Sequence, residues 1–197
     1  MMSSDFNAAQ ARFSFYNRPV TNKYPSSEFT LLEAYNYIIG GISSLATEQC
    51  RSMNEEQRKD FKKTHFDCCT FSGVFKVRNS ASLVRHSMLF CFDFDHLNDV
   101  DAVFGQLIDD RYFETLLLFR SPSGEGLKWV VSMEQNYLSR EKYYSDTPAK
   151  YHPIFFAAVR QYLQSTYQLE ADVKCKDVAR ACFLPYDQQA YINPKLL

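Results

Sequence analysis

The run at residues 87–95, SMLFCFDFD, is the feature that most constrains the fold. It is strongly apolar and aromatic, and it breaks into the polar sequence HLNDVD at residues 96–101. Side chains alternate between the two faces of a strand, so Asp93 and Asp95 fall on one face and the intervening phenylalanines on the other. We therefore predict a buried strand whose C-terminal end carries two carboxylates on one side.

Two neighbouring carboxylates at a strand end are candidate metal ligands. Burial of two like charges is costly unless they are neutralised, and the oxygen-binding ions Mg²⁺ and Mn²⁺ do this directly. A structural interpretation is also open, in which one aspartate caps the following helix and the other is exposed at the strand end. The pattern DxD does not decide between them.

The remaining patterns predict an α+β protein. A helix runs from residue 27 to about Gly40, and residues 42–64 are helix-prone and rich in charge. After the aspartates we expect a helix capped by Asn98 or Asp99, a hairpin of the strands ETLLLFR and LKWVVSM, a further helix, and a last strand in RACFLPYD. This βαββαβ order is the split βαβ pattern of ferredoxin-like, or RRM-like, folds. The N-terminal helices form an added layer.

We predict one compact domain over residues 26–197. Its N-terminal layer covers 26–85 and its RRM-like core covers 86–197. Residues 1–25 show no sustained period and contain two prolines, which predicts a partly ordered arm. We interpret residues 134–150 as a polar connecting segment.

The turn of the predicted hairpin has the composition of a phosphate-binding loop. Hydroxyls and accessible backbone N–H groups come from Ser121, Ser123, Gly124 and Gly126, and Lys128 adds a positive charge. In the split βαβ order the first and third strands are neighbours, which brings Lys128 towards the aspartates. The alternative is an ordinary glycine-containing turn with its lysine in solvent.

A third carboxylate is available just before the last predicted strand. We favour Asp172 for the acidic set, with Asp177 as the alternative and Arg180 as a phosphate contact at the strand start. Asp177 and Arg180 also have the i, i+3 spacing of a local ion pair, which gives them a structural interpretation.

Composition limits the partners. The formal net charge is −1, so a nucleic acid requires a local basic patch, for which Lys62, Lys63, Arg78 and Arg85 are candidates. We find no secretory signal or apolar run long enough for a membrane, which predicts a cytoplasmic protein with its six cysteines reduced. The absence of CxxC spacing argues against a zinc site.

Four segments together resemble a known superfamily. They are FSGVF at 71–75, HSMLFCFDFDHL at 86–97, FRSPSGEGLKWVV at 119–131 and DVARACFLPYD at 177–187. Their order and spacing resemble the archaeo-eukaryotic primase superfamily. More closely, the chain is similar to the N-terminal primase-like domain of virulence-associated E proteins from bacterial mobile elements.

The resemblance implies a DNA primase/polymerase-type nucleotidyltransferase that uses Mg²⁺ or Mn²⁺. Asp93, Asp95 and Asp172 would hold the two catalytic metals, and the turn at 121–128 would contact the phosphates of an NTP or dNTP. The implied partners are a single-stranded or primed DNA template and a helicase domain or subunit. Lys128 stands where the superfamily usually has His, and it keeps the positive charge without titrating near neutral pH.

A second class of function stays open. A catalytically degenerate RRM-like module would keep the fold but only bind nucleic acid or a helicase partner during replication initiation. The chain has no GxxxxGK[ST] motif of its own. The sequence does not separate these two functions, and it does not separate NTP from dNTP.

Overall fold

The computed structural model describes residues 7–133 and 148–197. Residues 1–6 and nearly all of the polar connection predicted at 134–150 lie outside this range. The described helices are α1 Leu31–Ile39, α2 Ser44–Ser52, α3 Glu55–His65, α4 Val100–Ile108 and α5 Pro148–Tyr167. The described strands are β1 Phe13–Tyr16, β2 Ser27–Phe29, β3 Cys68–Thr70, β4 Gly73–Phe75, β5 Leu83–His86, β6 Leu89–Phe94, β7 Leu117–Arg120, β8 Leu127–Ser132, β9 Cys182–Phe183 and β10 Tyr191–Ile192.

The strands form a central sheet, an N-terminal sheet and a small hairpin. The central sheet has the order β10-β7-β8-β6, the N-terminal sheet has the order β2-β1-β3-β9, and β4 pairs with β5. All described pairings are antiparallel. Helices and antiparallel sheets in one chain confirm the predicted α+β class.

The central sheet separates two apolar cores, which the alternation in β6 predicts. Phe90, Phe92 and Phe94 lie on one face with Trp129 of β8, and α4 and α5 cover them. The other face packs against the N-terminal sheet and α1, and its core residues include Leu89, Phe13, Phe71 and Phe119. The carboxylate of Asp93 therefore projects between the two sheets rather than towards the helices.

The strand order departs from the split βαβ expectation at the last strand. Of the predicted strand RACFLPYD, only Cys182–Phe183 forms a strand, which is β9. It pairs with β3 of the N-terminal sheet. The expected position beside β6 is taken by the chain that follows α5, where the Asp172 N–H donates to the Asp93 carbonyl at 2.8 Å. An apolar run predicts a strand but not its partner, and here β10 extends the sheet at its opposite edge, on β7.

The predicted N-terminal arm is shorter than expected. Residues 13–16 form β1, which is buried along its whole length and pairs with β2 and β3. The four-residue sequence FSFY is too short for a clear period, and its strand depends on pairing with two other strands, one of which lies more than fifty positions away. The residues of the N-terminal layer thus start well before residue 26.

Within the described residues, no helix has both the length and the apolar character needed to cross a bilayer.

The β7–β8 connection needs glycine because two strands approach closely there. A Cβ added at Gly126 would overlap the carbonyl oxygen of Phe94 at the end of β6, so the backbone itself stands in the way. Gly124 in the same turn has φ of +78°, a conformation that other residues rarely adopt. These two glycines hold the turn next to the aspartates.

We expect Gly126→Ala to lower the free energy of unfolding by at least about 2 kcal/mol, because the backbone of β6 must move to admit the methyl group. The matched control is Gly105→Ala, an exposed glycine inside α4 with open space at its Cβ position. This control should stabilise the protein by about 0.5–1 kcal/mol. Urea unfolding of both variants measures the difference, and equal effects would contradict the account of the turn.

Candidate functional site

Asp93 and Lys128 form a buried ion pair between the two sheets. Antiparallel pairing of β6 and β8 puts the two residues directly opposite each other, so both side chains project from the same face. The Lys128 Nζ contacts Asp93 Oδ1, and the side chains are only 9% and 13% exposed. This adjacency of the first and third core strands was predicted from the sequence.

The electrostatics of this pair are set by burial and by its neighbours. Burial raises the pKa of Asp93, the Lys128 ammonium opposes this effect, and Asp95 and Asp172 add to it. Burial alone would lower the pKa of Lys128, but Asp93 and other nearby acidic groups raise it above its ordinary value.

Asp172 lies beside Asp93 because the chain turns sharply after α5. It caps a short 3₁₀ turn, Val173–Lys176, through a bond from Lys174 N–H to Asp172 Oδ1 at 3.0 Å. Its other oxygen accepts from Arg180 Nη2 at 3.0 Å. The structure thus pairs Arg180 with Asp172 and not with Asp177, against the local pair that the i, i+3 spacing allowed.

Asp177 has a structural role in the same loop. Its Oδ1 accepts from the Ser80 hydroxyl at 2.9 Å and from the Ala179 N–H at 3.0 Å. These bonds hold the loop that carries Arg180 against the β4–β5 hairpin. Of the two alternatives for a third carboxylate, Asp172 is the one that reaches Asp93.

Seven of the predicted site residues line a cleft of about 370 Å³ between the N-terminal layer and the central sheet, whereas Asp172 lies beside Asp93 but is not part of the cleft lining. Its charged and hydroxyl-bearing lining residues are Lys62, Arg78, Asp93, Asp95, Ser121, Lys128, Asp177 and Arg180. Four cations and three carboxylates face one space. Phosphate groups and divalent ions are the partners that such a mixed lining can neutralise.

Asp95 does not accompany Asp93 into the buried part of this site. β6 ends at Phe94, and Asp95 follows it as an exposed residue at the rim of the cleft. The cap of the next helix is Asp99, whose side chain accepts from Ala102 N at 2.9 Å. Neither aspartate of the DxD pair is therefore a helix cap.

The turn at 121–126 contributes less to the cleft than its composition indicated. Ser121 lines the cleft, and Ser123 lies behind it with its hydroxyl 3.1 Å from the Ser121 hydroxyl. The N–H of Gly124 is used within the turn, where it donates to the Ser121 carbonyl at 2.9 Å. Gly124 and Gly126 are thus structural, because they close the turn and fit it against β6.

Two of the four basic candidates are occupied elsewhere. Lys63 pairs with Asp60 at 2.8 Å, and Arg85 pairs with Glu28 at 3.1 Å. Lys62 and Arg78 do line the cleft. The guanidinium of Arg78 is fixed 5.5 Å above the ring of Tyr16, and it donates to the Val20 carbonyl.

The residues present fit one divalent ion. Ligand atoms of Asp93, Asp172 and Cys175 all lie within 4.8 Å of one another, about twice an ordinary metal–ligand distance of roughly 2.0–2.5 Å. Asp95 is not a member of this group. Lys128 already neutralises Asp93 and Arg180 already neutralises Asp172, so an ion has to compete with both cations.

Cys175 is the residue that the sequence prediction missed. It follows Asp172 by three positions, a spacing that stacks two side chains on the same side of a 3₁₀ turn. Burial, and after it the charge of Asp93, raises the pKa of its thiol to about 12. The sequence signal that could have identified Cys175 is its spacing of three residues from Asp172 in a polar loop.

Two histidines lie next to the 3₁₀ turn that contains Cys175. His86 Nε2 and His152 Nδ1 are 3.0 Å apart, and the Met88 N–H donates to His86 Nδ1 at 3.0 Å. Burial lowers the pKa of His86 to about 3 and that of His152 to about 4. The pair is therefore neutral at ordinary pH, and it connects β5 with α5 next to Cys175.

The buried pair gives a direct stability prediction. Asp93→Asn and Lys128→Met should each lower the free energy of unfolding by about 3–5 kcal/mol, because each leaves its partner buried without a counter-charge. The double variant should lose clearly less than the sum. Urea unfolding provides the three values. Lys59→Met, which removes an exposed pair with Glu55, is the control and should change stability little. Strictly additive losses would show that the two charges do not interact.

Comparison with known proteins provides one result. The family model described as BT4734-like, N-terminal domain matches residues 60–192, which is more than half of the chain. No curated protein and no solved structure matches the chain. The match begins in α3, ends with β10 and includes every residue of the cleft from Lys62 to Arg180. The chain therefore belongs to the BT4734-like N-terminal domain family.

Proposed function

We propose that this protein is a divalent-metal-dependent nucleotidyltransferase of the DNA primase–polymerase type. The observation that carries the proposal is the single cleft in which Asp93, Asp95 and Lys128 face Ser121 and Arg180. These residues come from separated parts of the sequence, and the side chain of each is of a type that binds metal or phosphate. The relation to virulence-associated E and primase domains is part of the same proposal.

The basic residues of the cleft have the role of binding phosphate. Arg180, with a side chain 41% exposed, presents its guanidinium beside Asp172 and can accept a second anion in a forked geometry. Lys62 and Arg78 also line the cleft, and Ser121 adds a hydroxyl to the same lining. A triphosphate of an NTP or dNTP has the size and charge that this arrangement would hold.

The carboxylates have the role of placing the cofactor. Asp93 and Asp172 would hold Mg²⁺ or Mn²⁺, with Asp95 at the rim for an ion carried in by the nucleotide. Such ions supply the charge that activates a 3′-hydroxyl and neutralises a triphosphate. Lys128 would then shift its ammonium from Asp93 towards the phosphates, and the buried pair would act as a closed state of the site.

The proposal includes its biological setting. A single-stranded or primed DNA template would run along the basic residues of the cleft, and a helicase domain or subunit would supply the opened strand. The cytoplasm is the proposed location, where the six unpaired cysteines stay reduced.

A second function has a specific observation in its favour. Two carboxylates of the predicted acidic set already have cationic partners in the protein, Asp93 with Lys128 and Asp172 with Arg180. A site neutralised in this way is stable without metal. The second proposal is a degenerate module of the replication machinery that binds nucleic acid or a helicase partner without catalysis.

The first function predicts template-dependent incorporation. Purified protein with a primed or single-stranded template, labelled NTPs or dNTPs, and Mg²⁺ or Mn²⁺ should extend or start a chain. Asp93→Asn with Asp95→Asn should reduce incorporation at least about 100-fold, because the ligands of the cofactor are removed. Asp109→Asn, which changes an exposed carboxylate at the end of α4, should retain full incorporation. Equal activity of the two variants would overturn the proposal.

The second function predicts metal-independent binding of DNA. Fluorescence anisotropy with labelled single-stranded DNA in EDTA should then give the same affinity for wild type and for the double aspartate variant. Arg180→Gln should weaken binding by about 1 kcal/mol or more, since charge-assisted contacts to phosphate contribute roughly this much. Lys76→Gln, at an exposed lysine outside the cleft, is the control. Binding that requires Mn²⁺ would favour the first function.

A further inference from the structure

We propose that Asp93, Asp172 and Cys175 form a mixed carboxylate–thiolate site that binds a thiolate-accepting divalent ion, such as Zn²⁺ or Cd²⁺, in preference to Mg²⁺. This inference rests on the proposed function, because it specifies which ion the cleft accepts. It adds Cys175 to the ligands of the ion at Asp93, and Asp95 is not one of these ligands.

The three donor atoms are held together by the backbone. The Asp172 N–H donates to the Asp93 carbonyl at 2.8 Å, and the Cys175 N–H donates to the Asp172 carbonyl at 3.0 Å. One strand and one 3₁₀ turn are thereby fixed against each other. All three ligand atoms lie within 4.8 Å of one another without any change of fold. An ion would complete an arrangement that already exists.

Cys175 belongs to the helix-covered apolar core, and it also lines a cavity with two charged residues, Asp93 and Lys128. Its thiol is buried, with the residue 7% exposed, and it makes no hydrogen bond to any residue in the described ranges. It lines a cavity of about 30 Å³ together with Asp93 and Lys128. About 10–15 Å³ is enough for one water molecule, so the cavity has room for a small ligand at the donor atoms.

Ligand chemistry determines the selectivity. Mg²⁺ binds oxygen almost exclusively, whereas Zn²⁺ accepts both carboxylate and thiolate ligands and softer ions bind thiolate strongly. On binding, the S–H bond of Cys175 breaks, a metal–sulfur bond forms, and the proton passes to solvent. No oxidant or reductant takes part. The Lys128 ammonium competes with the ion for Asp93. Because of this competition, ions that bind the site weakly are the least able to occupy it.

Cd²⁺ is the probe for this site, because cadmium–thiolate ligation produces an ultraviolet charge-transfer band. We expect a band on titration of the wild-type protein, and we expect Cys175→Ser to abolish it. Cys182→Ser is the matched control, since Cys182 lines the same cavity and its Sγ lies 3.8 Å from Cys91 Sγ. A band that survives in Cys175→Ser and disappears in Cys182→Ser would overturn the proposal.

A second variant keeps the test valid if Cys175→Ser does not fold. Asp172→Asn leaves all six thiols in place, and it should weaken Cd²⁺ binding at least about tenfold if Asp172 is a ligand. Unchanged Cd²⁺ affinity would overturn the proposal.

The outcomes separate this inference from the proposed function. Cys175-dependent Cd²⁺ binding in a protein that incorporates no nucleotide would retain the mixed site and remove the nucleotidyltransferase. Incorporation by a protein whose Cd²⁺ binding is unaffected by Cys175→Ser would retain the enzyme and remove the mixed site.

Discussion

The buried contact between Asp93 and Lys128 is the interaction on which the rest of the site depends. Two opposite charges lie between the sheets at the bottom of the cleft lining, with side chains only 9% and 13% exposed, where either charge alone would be strongly unfavourable. Well-packed apolar residues often stabilise a fold as much as a buried ion pair does. The pair is therefore better explained by a function that needs a carboxylate and a cation at this position than by stability.

The architecture explains how such a pair is possible. The helix-covered face of the central sheet is predominantly apolar, with Phe92, Phe94 and Trp129 fully buried. The opposite face is apolar near α1, but it becomes polar where the turn after Asp172 crosses the end of β6. Strand alternation directs Asp93 to this polar end and away from the helices. The aromatic core thus supplies rigidity, and the cleft is confined to the gap between the sheets.

The sequence predicted those features that depend on local periodicity. The alternation in β6, a helix cap at Asn98 or Asp99 and the β7–β8 hairpin follow from patterns of a few residues. The adjacency of Asp93 and Lys128 followed from the split βαβ strand order. Partner choice over long distances did not follow, because β1 and β9 are too short for a period and are specified by pairing with β3. Cys175 was missed for a related reason. Its position next to Asp93 depends on a turn that local periodicity does not specify, and the spacing of Asp172 and Cys175 alone does not distinguish it from a core cysteine.

The central claim is that the cleft binds a nucleoside triphosphate with a divalent ion beside Asp93. The most direct measurement is a crystal structure with Mn²⁺ and a non-hydrolysable NTP, with anomalous scattering used to locate the ion. Our account predicts a manganese peak in contact with Asp93 and Asp172, and phosphates between Ser121 and Arg180. A triphosphate bound outside the cleft, or no manganese peak at Asp93 with Lys128 still in contact with it, would contradict the account.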